Sequence, residues 1–272
     1  MIDGATRVYA VLADPIAQVQ TPRLANPLFK AAGRNIRAVP FHVPADAFEP
    51  VWHALVRIPS LAGIGVSIPH KIAAARLCDT LTPVARAVGA VNSIQRDEDG
   101  RMNGALFDGI GFLDGLAGQS VSGRRVLLVG AGGAGRTIAH ALAQAGIARL
   151  TILDPDAGAV RATRAILSGA APGLRVETAR AGCAVADHDM LINASPVGVH
   201  GADPFPVSLS DLSPSVLVAD IAALSRETEL LRHARAIGCP TADGNDMLLA
   251  QIALIAGFAA GLPAGEPLRP RS

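Results

Sequence analysis

Three glycines in one short stretch, Gly130, Gly132 and Gly135, follow the apolar run Val126 to Val129 in the spacing G-x-G-x-x-G. The run reads as a buried strand, and the alanine-rich segment Thr137 to Ala145 reads as the helix it feeds. Gly130 permits the tight turn, Gly132 lets backbone approach a pyrophosphate, and Gly135 lets helix and strand pack closely. Together with Gly133 and Ala134 they open the helix N-terminus, whose N–H groups and dipole favour phosphate. A lone glycine motif also fits an ordinary structural turn. Here a second apolar run, Leu150 to Leu153, closes on Asp154 about 20 residues further on, so strand, helix, strand and terminal acid all arrive at the spacing of a dinucleotide site.

A second signal is scarcity. Of the 24 basic residues only Lys30 and Lys71 are lysines. Where arginine takes nearly every basic position, a retained lysine is expected to be needed as lysine, because an ammonium can release a proton near neutral pH and a guanidinium cannot. Lys71 stands just after Pro69-His70, where a first-turn cation opposes the helix dipole. An exposed first-turn lysine is the plainer alternative.

The remaining bulk properties narrow the class. At 272 residues the chain is long enough for two modest domains. Half its residues are hydrophobic and only 3% aromatic, so the cores must be aliphatic. A net charge of +1 with no basic run beyond two residues argues against a nucleic-acid partner. The three cysteines, Cys78, Cys183 and Cys239, are scattered, which implies neither a disulfide framework nor a metal site and fits a reducing compartment. Met1-Ile2-Asp3-Gly4 lacks the regions of a signal peptide. The stretch Met247 to Pro263 is nearly all apolar, yet Gln251, two glycines and unbasic flanks favour a buried helix over a membrane span. The expectation is a cytoplasmic protein with no membrane and no metal, monomeric or homodimeric.

The elements that must position these residues alternate. Strands are expected at Val8–Ala13, Ile36–Val43, Ile64–Ile68 and Ala90–Ile94, with a further one reaching Gly104. Helices are expected at Thr21–Ala32, with Thr21 as N-cap and Pro22 first, at Asp46–Val56, at Ile72–Leu77 and near Val84. A helix from Asp108 to Ala117 leads into the dinucleotide region. That region continues through a helix at Ala157–Leu167, strands at Leu174–Thr178, Met190–Asn193 and Val216–Asp220, a helix at Glu227–Ile237 and a strand to Ala242. The long apolar helix Gly244 to Gly261 is expected to return to the first domain, and the Pro/Arg-rich tail from Pro263 to be loose. The fold class is therefore α/β with two domains: residues 1–104, completed by 244–272, for substrate, and a Rossmann-type dinucleotide-binding domain over 105–243.

In order along the chain, Pro15-Ile16 with Thr21-Pro22, Gly65-Val66-Ser67-Ile68-Pro69-His70-Lys71, and Gly89-Ala90-Val91-Asn92-Ser93-Ile94 resemble signatures of the shikimate dehydrogenase family. So do Asp108-Gly109-Ile110-Gly111, Gly130 to Arg136, Asn193-Ala194-Ser195-Pro196-Val197-Gly198 and Gly244 to Gln251. The resemblance implies an NAD(P)-dependent dehydrogenase of the secondary alcohol of shikimate, quinate or a related cyclic hydroxy acid or alcohol. It places the catalytic pair on Lys71 and Asp108, and hydroxyl-binding groups on Thr21, Ser67, Asn92 and Gln251. Cofactor contacts fall on the glycine-rich turn with Asp154, Asn193, Ser195, Pro196 and Gly244. Asp108 also fits a helix N-cap, and His70 reads as structural.

The family pattern is also broken. Two serines that hold the substrate carboxylate in the family align with Val19 and Thr21, and the preceding histidine with Gln18. Leu106 and Phe107 stand where an asparagine and a threonine precede the aspartate, Gly65 replaces an asparagine, and Ala223 a tyrosine. A missing donor to a buried carboxylate costs about 1.5–3 kcal/mol, roughly ten- to a hundredfold in affinity. A paralogue weak on shikimate, or tuned to a less polar alcohol, is therefore expected unless Gln18 and Gln20 supply replacement donors. Asp154-Pro155-Asp156 favours NAD over NADP, because an acid accepts ribose hydroxyls and repels a 2′-phosphate. A non-catalytic sensor of cofactor or metabolite on the same fold is the competing reading.

Overall fold

The computed structural model describes residues 2–198, 205–222 and 227–271. The chain divides into two compact units, one formed by Met1–Phe107 with Gln251–Ser272, the other by Asp108–Ala250.

The first unit opens with β1 (Arg7–Ala13), α1 (Thr21–Ala31), β2 (Ile36–His42), a short 3-10 turn at Ala45–Ala47, α2 (Phe48–Leu55) and β3 (Leu61–Val66). It continues with α3 (Lys71–Leu77), β4 (Thr80–Leu81), α4 (Pro83–Val88), β5 (Ser93–Arg96) and β6 (Met102–Ala105). The strands form one sheet in the order β2-β1-β3-β5-β6-β4. β1 is parallel to β2 and β3, whereas β5 is antiparallel to both β3 and β6. The order reverses at β1, the kind of switch point beside which open α/β sheets bind ligands at their strand ends.

Alternation along β1 divides the core of this unit. Ala10 and Leu12 join Phe48, Trp52, Ile64 and Val66 in one cluster. Tyr9 and Val11 join Phe29, Phe107, Ile252 and Phe258 in another. Burying each such side chain contributes roughly 1.5–3 kcal/mol.

The second unit contains α5 (Asp108–Gly115), β7 (Arg125–Val129), α6 (Gly133–Gln144), β8 (Arg149–Leu153), α7 (Ala157–Ala170) and β9 (Arg175–Thr178). β10 (Cys183–Ala184), β11 (Met190–Asn193), β12 (Val207–Ser208), β13 (Leu217–Asp220), α8 (Glu229–Ile237) and β14 (Thr241–Asp243) follow. Its main sheet runs β14-β13-β11-β7-β8-β9 with every pairing parallel. Renumbered from β7, this is the 3-2-1-4-5-6 order of a dinucleotide-binding sheet. Such strands are covered on both faces, which is why Val126–Val129, Met190–Asn193 and Leu217–Asp220 read as unbroken buried runs. β10 and β12 pair separately.

The last helix, α9 (Gly244–Ala259), gives its first turns to the second unit and the remainder to the first. Asp243 accepts the amides of Asn245 and Asp246, and the Asp246 carboxylate accepts the Asp243 amide, a reciprocal cap that sets where α9 begins. No helix among the described residues is long and apolar enough to cross a membrane.

Three expectations need correction. The tail after Pro263 is pinned: the Leu268 amide donates to the Ala253 carbonyl at 2.8 Å, Leu268 is buried, and the Arg271 amide donates to Ala31 at 3.1 Å. Gly257 makes this possible, since a Cβ there would lie 2.3 Å from the Glu266 carbonyl oxygen. Thr21 is the first helical residue rather than the cap, because Gln20 already has helical dihedrals. The strand expected at Ala90–Ile94 begins only at Ser93, since Val91 and Asn92 are bonded to Lys71 and Ala105 instead.

Candidate active site

In the first unit the candidate residues gather at the strand ends. The Ser67 amide donates to Leu12, which ties the end of β3 to β1. Asn92 is the hub. Its carbonyl accepts the Val66 amide, its amide donates to Ala105, and its side chain accepts the Phe107 amide at 3.1 Å. The same side chain donates to Gln251 Oε1 at 2.9 Å. Lys71 opens α3 and is held from behind, because its carbonyl accepts the Val91 amide at 3.0 Å. Sequence spacing placed Ser67, Lys71 and Asn92 at separate strand ends; the sheet brings their backbones together and adds Gln251.

His70 positions Lys71. Its Nε2 is 2.8 Å from the Val43 carbonyl, and its ring stacks on Phe48 at 4.4 Å between centroids. Burial pushes the imidazole pKa below its ordinary value, against smaller opposing effects of the Val43 bond and the Asp14 charge. His70 is therefore a neutral structural group, as its sequence position suggested.

The broken positions acquire physical explanations. Gly65 does not leave a void: a Cβ there would sit 3.0 Å from the Tyr9 hydroxyl, whose ring occupies the space. That hydroxyl hydrogen-bonds the Ser93 hydroxyl at 2.7 Å in the core. Phe107 meets Phe258 of α9 edge-on at 5.8 Å, and Leu106 enters the opposite core. Val19 packs against the cluster that holds Phe107 and Ile252. The Gln20 Oε1 accepts Arg23 Nε at 2.8 Å, and its Nε2 lies 3.5 Å from the Gln18 carbonyl. Gln18 and Arg23 are exposed. Ala223 lies outside the described residues.

In the second unit the cofactor candidates share one edge of the parallel sheet. Gly130 follows β7, Asp154 follows β8, Asn193 ends β11, and Gly244 follows β14. Gly130 has φ +96°, and a Cβ on it would lie 2.8 Å from Ala194 and Ser195. A Cβ on Gly135 would lie 2.0 Å from the Gly130 carbonyl oxygen. The fold demands glycine at both. Gly132 and Gly133 differ, because a Cβ on either meets nothing within 4 Å. No side chain caps α6, whose first turn also lacks an acid. Open backbone at an uncapped N-terminus at the reversal of strand order fits a pyrophosphate.

Asp154 does structural service first. Its Oδ2 accepts the Ala131 amide at 2.7 Å and its Oδ1 the Asp156 amide at 2.8 Å, which fixes the glycine-rich turn to β8. Each oxygen retains acceptor capacity. Asn193 is saturated within its own loop: its Nδ2 donates to Val197 and Asp220, and its Oδ1 accepts the amide and hydroxyl of Ser195. It therefore shapes the turn through Pro196 rather than offering its amide outward. Sequence reasoning missed Asp220, a buried carboxylate that Asn193, Thr228 and the Ala222 amide surround. Burial pushes its pKa up.

Asp108 is buried in the first turn of α5. Gly109 brings α5 onto α6, since a Cβ there would lie 2.8 Å from the Ala141 Cβ. Among the described residues no group of three or more His, Cys, Asp or Glu could hold a metal ion.

Comparison with known proteins points one way. Residues 11–94 match the family model described as the shikimate dehydrogenase substrate binding domain. A Rhodospirillum rubrum protein named shikimate dehydrogenase (NADP(+)) is 36% identical over 260 residues, covering 92% of this chain and 90% of the relative. The Listeria monocytogenes shikimate 5-dehydrogenase solved with shikimate and NAD superposes with TM-score 0.83 at 25% identity, covering 97% of this chain and 95% of the other. A ligand-free 5-ketofructose reductase from a Gluconobacter species superposes with TM-score 0.82 at 29% identity over the same shares.

Proposed function

This chain belongs to the shikimate dehydrogenase family, and from that membership we propose an NAD(P)-dependent oxidoreductase acting on the secondary alcohol of a cyclic polyol of the shikimate or quinate type, with Lys71 and Asp108 as its proton-handling pair. The observation that carries the reading is the open space over Gly132 and Gly133, glycines that the packing of the chain itself does not require. When bound, the nicotinamide supplies or accepts the hydride.

The chain's own residues handle the rest. Removing hydride from a carbinol carbon requires its hydroxyl proton to leave, so a base or polarising cation must lie within hydrogen-bond reach. Lys71 and Asp108 share this role, and the base is not assigned to either alone. Thr21, Ser67, Asn92 and Gln251 bind the remaining hydroxyls. Asn92 and Gln251 already hold each other, so less ordering is needed when substrate arrives.

Gly130, Gly132, Gly133, Ala134 and Gly135 hold the pyrophosphate, and the loop of Asn193, Ser195 and Pro196 with Gly244 completes the cofactor edge. NAD is the preferred form. The curated relatives are named for NADP(+), whereas the Listeria structure contains NAD. Here Asp154, followed by Asp156, places two carboxylates where a 2′-phosphate would need a cation. The test is to incubate the protein with NAD or NADP and shikimate, quinate and simpler cyclic alcohols while following absorbance of the reduced cofactor. Turnover with NAD is expected; tight cofactor binding without turnover of any alcohol would overturn the enzyme reading.

A further inference from the structure

The segment that follows α9 builds a cavity against the end of α1. The Leu262 amide donates to the Gly257 carbonyl and the Glu266 amide to Pro263, so the chain turns back on itself. Gly257 lets the returning segment lie close, Leu268 is buried, and the Arg271 amide reaches the Ala31 carbonyl at 3.1 Å. Arg34, Arg269, Arg271 and Glu266, with the buried Ala32 and Leu268, line a cavity of about 460 Å³ there. That volume falls within the roughly 300–1,000 Å³ of small-molecule sites. It shares no residue with those proposed for substrate and cofactor.

The charge of this cavity is lopsided. Three guanidiniums stand against one carboxylate, an excess of two positive charges. Among the described residues none of the three guanidiniums has a hydrogen bond or an ion pair. Arg271 is nevertheless held in place. A Cβ on Gly33, which has φ +63°, would lie 2.7 Å from the Arg271 Cζ and Nε, so the guanidinium rests on glycine backbone. A cation beside the C-terminal end of α1 complements the helix dipole, which accounts for Arg271 but not for Arg34 and Arg269. Like charges brought to one cavity repel unless an anion lies between them. Guanidiniums hold phosphate and carboxylate oxygens through paired N–H bonds, which gives such an anion geometry as well as charge.

We propose that this cavity binds one small polyanion, a molecule carrying two or more phosphate or carboxylate groups, through Arg34, Arg269 and Arg271. The site lies wholly in the first unit and is independent of the oxidoreductase reading. Its occupant ties the returning segment to the end of α1.

Calorimetric titration of the full chain with inorganic pyrophosphate and with citrate, at about 0.15 M NaCl, tests it. At least one of the two should bind with a Kd below about 1 mM and raise Tm. The tighter of the two shows whether the site suits phosphate or carboxylate groups. The double variant Arg34→Gln/Arg269→Gln should weaken that binding at least about tenfold. Its own Tm without ligand should equal that of wild type, because both side chains are exposed. Absence of saturable binding of either anion below about 1 mM overturns the proposal. So does a double variant that binds both as tightly as wild type, which would move the anion elsewhere, for pyrophosphate to the glycine-rich turn. Neither result bears on turnover of an alcohol, so the oxidoreductase reading stands or falls separately.

Discussion

The side-chain amide of Asn92 donates to Gln251 Oε1 at 2.9 Å, joining residues 159 positions apart. Through the Asn92 Oδ1 the same group holds the Phe107 amide, one residue before Asp108. Asn92, through backbone and side chain together, thus connects the ends of β3 and β6, the helix α9 and the approach to Asp108. Asn92→Ala leaves the Phe107 amide and the Gln251 side chain short of a partner, at about 1–3 kcal/mol for each buried group. Urea unfolding should show a lower midpoint with an unchanged slope. A midpoint equal to wild type would show that the hub adds nothing to stability.

The four glycines of the cofactor turn should separate into two classes. Gly135→Ala pushes a methyl into the Gly130 carbonyl and should destabilise the second unit by about 1–3 kcal/mol or more. Gly132→Ala meets open space, so thermal unfolding should barely move while NAD binding, measured by calorimetry, weakens severalfold. Equal NAD affinity in Gly132→Ala would remove the pyrophosphate from that spot.

Lys71→Ala should lower kcat by about 10²–10⁴-fold, the range for loss of a positioned proton-transfer group. Binding of NAD should change little, because the residues proposed for the cofactor lie in the other unit of the chain. Parallel losses in turnover and cofactor binding would mean that Lys71 is not where the proton is handled.

Asp154→Ala should weaken NAD more than NADP. Part of the loss will be shared by both cofactors, since the Ala131 amide loses its acceptor and the glycine-rich turn loosens. The informative quantity is the NAD/NADP ratio of dissociation constants, and a ratio that stays at the wild-type value refutes the discrimination assigned to Asp154.

Acid should destabilise the first unit through His70. Burial lowers its pKa in the fold, so the unfolded chain takes up the proton first as pH drops below about 6.5. The stability from neutral His70 is complete above that pH and is lost as pH falls through the lowered native value. His70→Phe keeps the stack on Phe48 and removes the titration. Its unfolding free energy should therefore fall less steeply than wild type between pH 7 and 5, the residual slope coming from His140 and His188, whose pKa values burial also lowers. Identical slopes would exonerate His70.

Local sequence determined much of this protein. The run Val126–Val129 with Gly130, Gly132 and Gly135 dictates a strand, a turn and a helix start, because each requirement is met within one turn of chain. Met190–Asn193 reads as a strand for the same reason: four consecutive buried positions need no distant information. The candidate residues Lys71, Asn92 and Asp108 were visible as types at strand ends. Their surroundings were not. That Gln20 turns to Arg23, that Tyr9 fills the space over Gly65, and that Leu268 pins the tail depend on contacts between segments far apart in sequence. Two-residue strands such as β4, β10 and β12 carry no periodicity to detect, and the antiparallel pairing of β5 with β3 joins segments far apart in sequence. Propensity acts over neighbouring residues. Which donor is consumed and which remains for a ligand is decided only when the sheet brings those distant segments within hydrogen-bond reach.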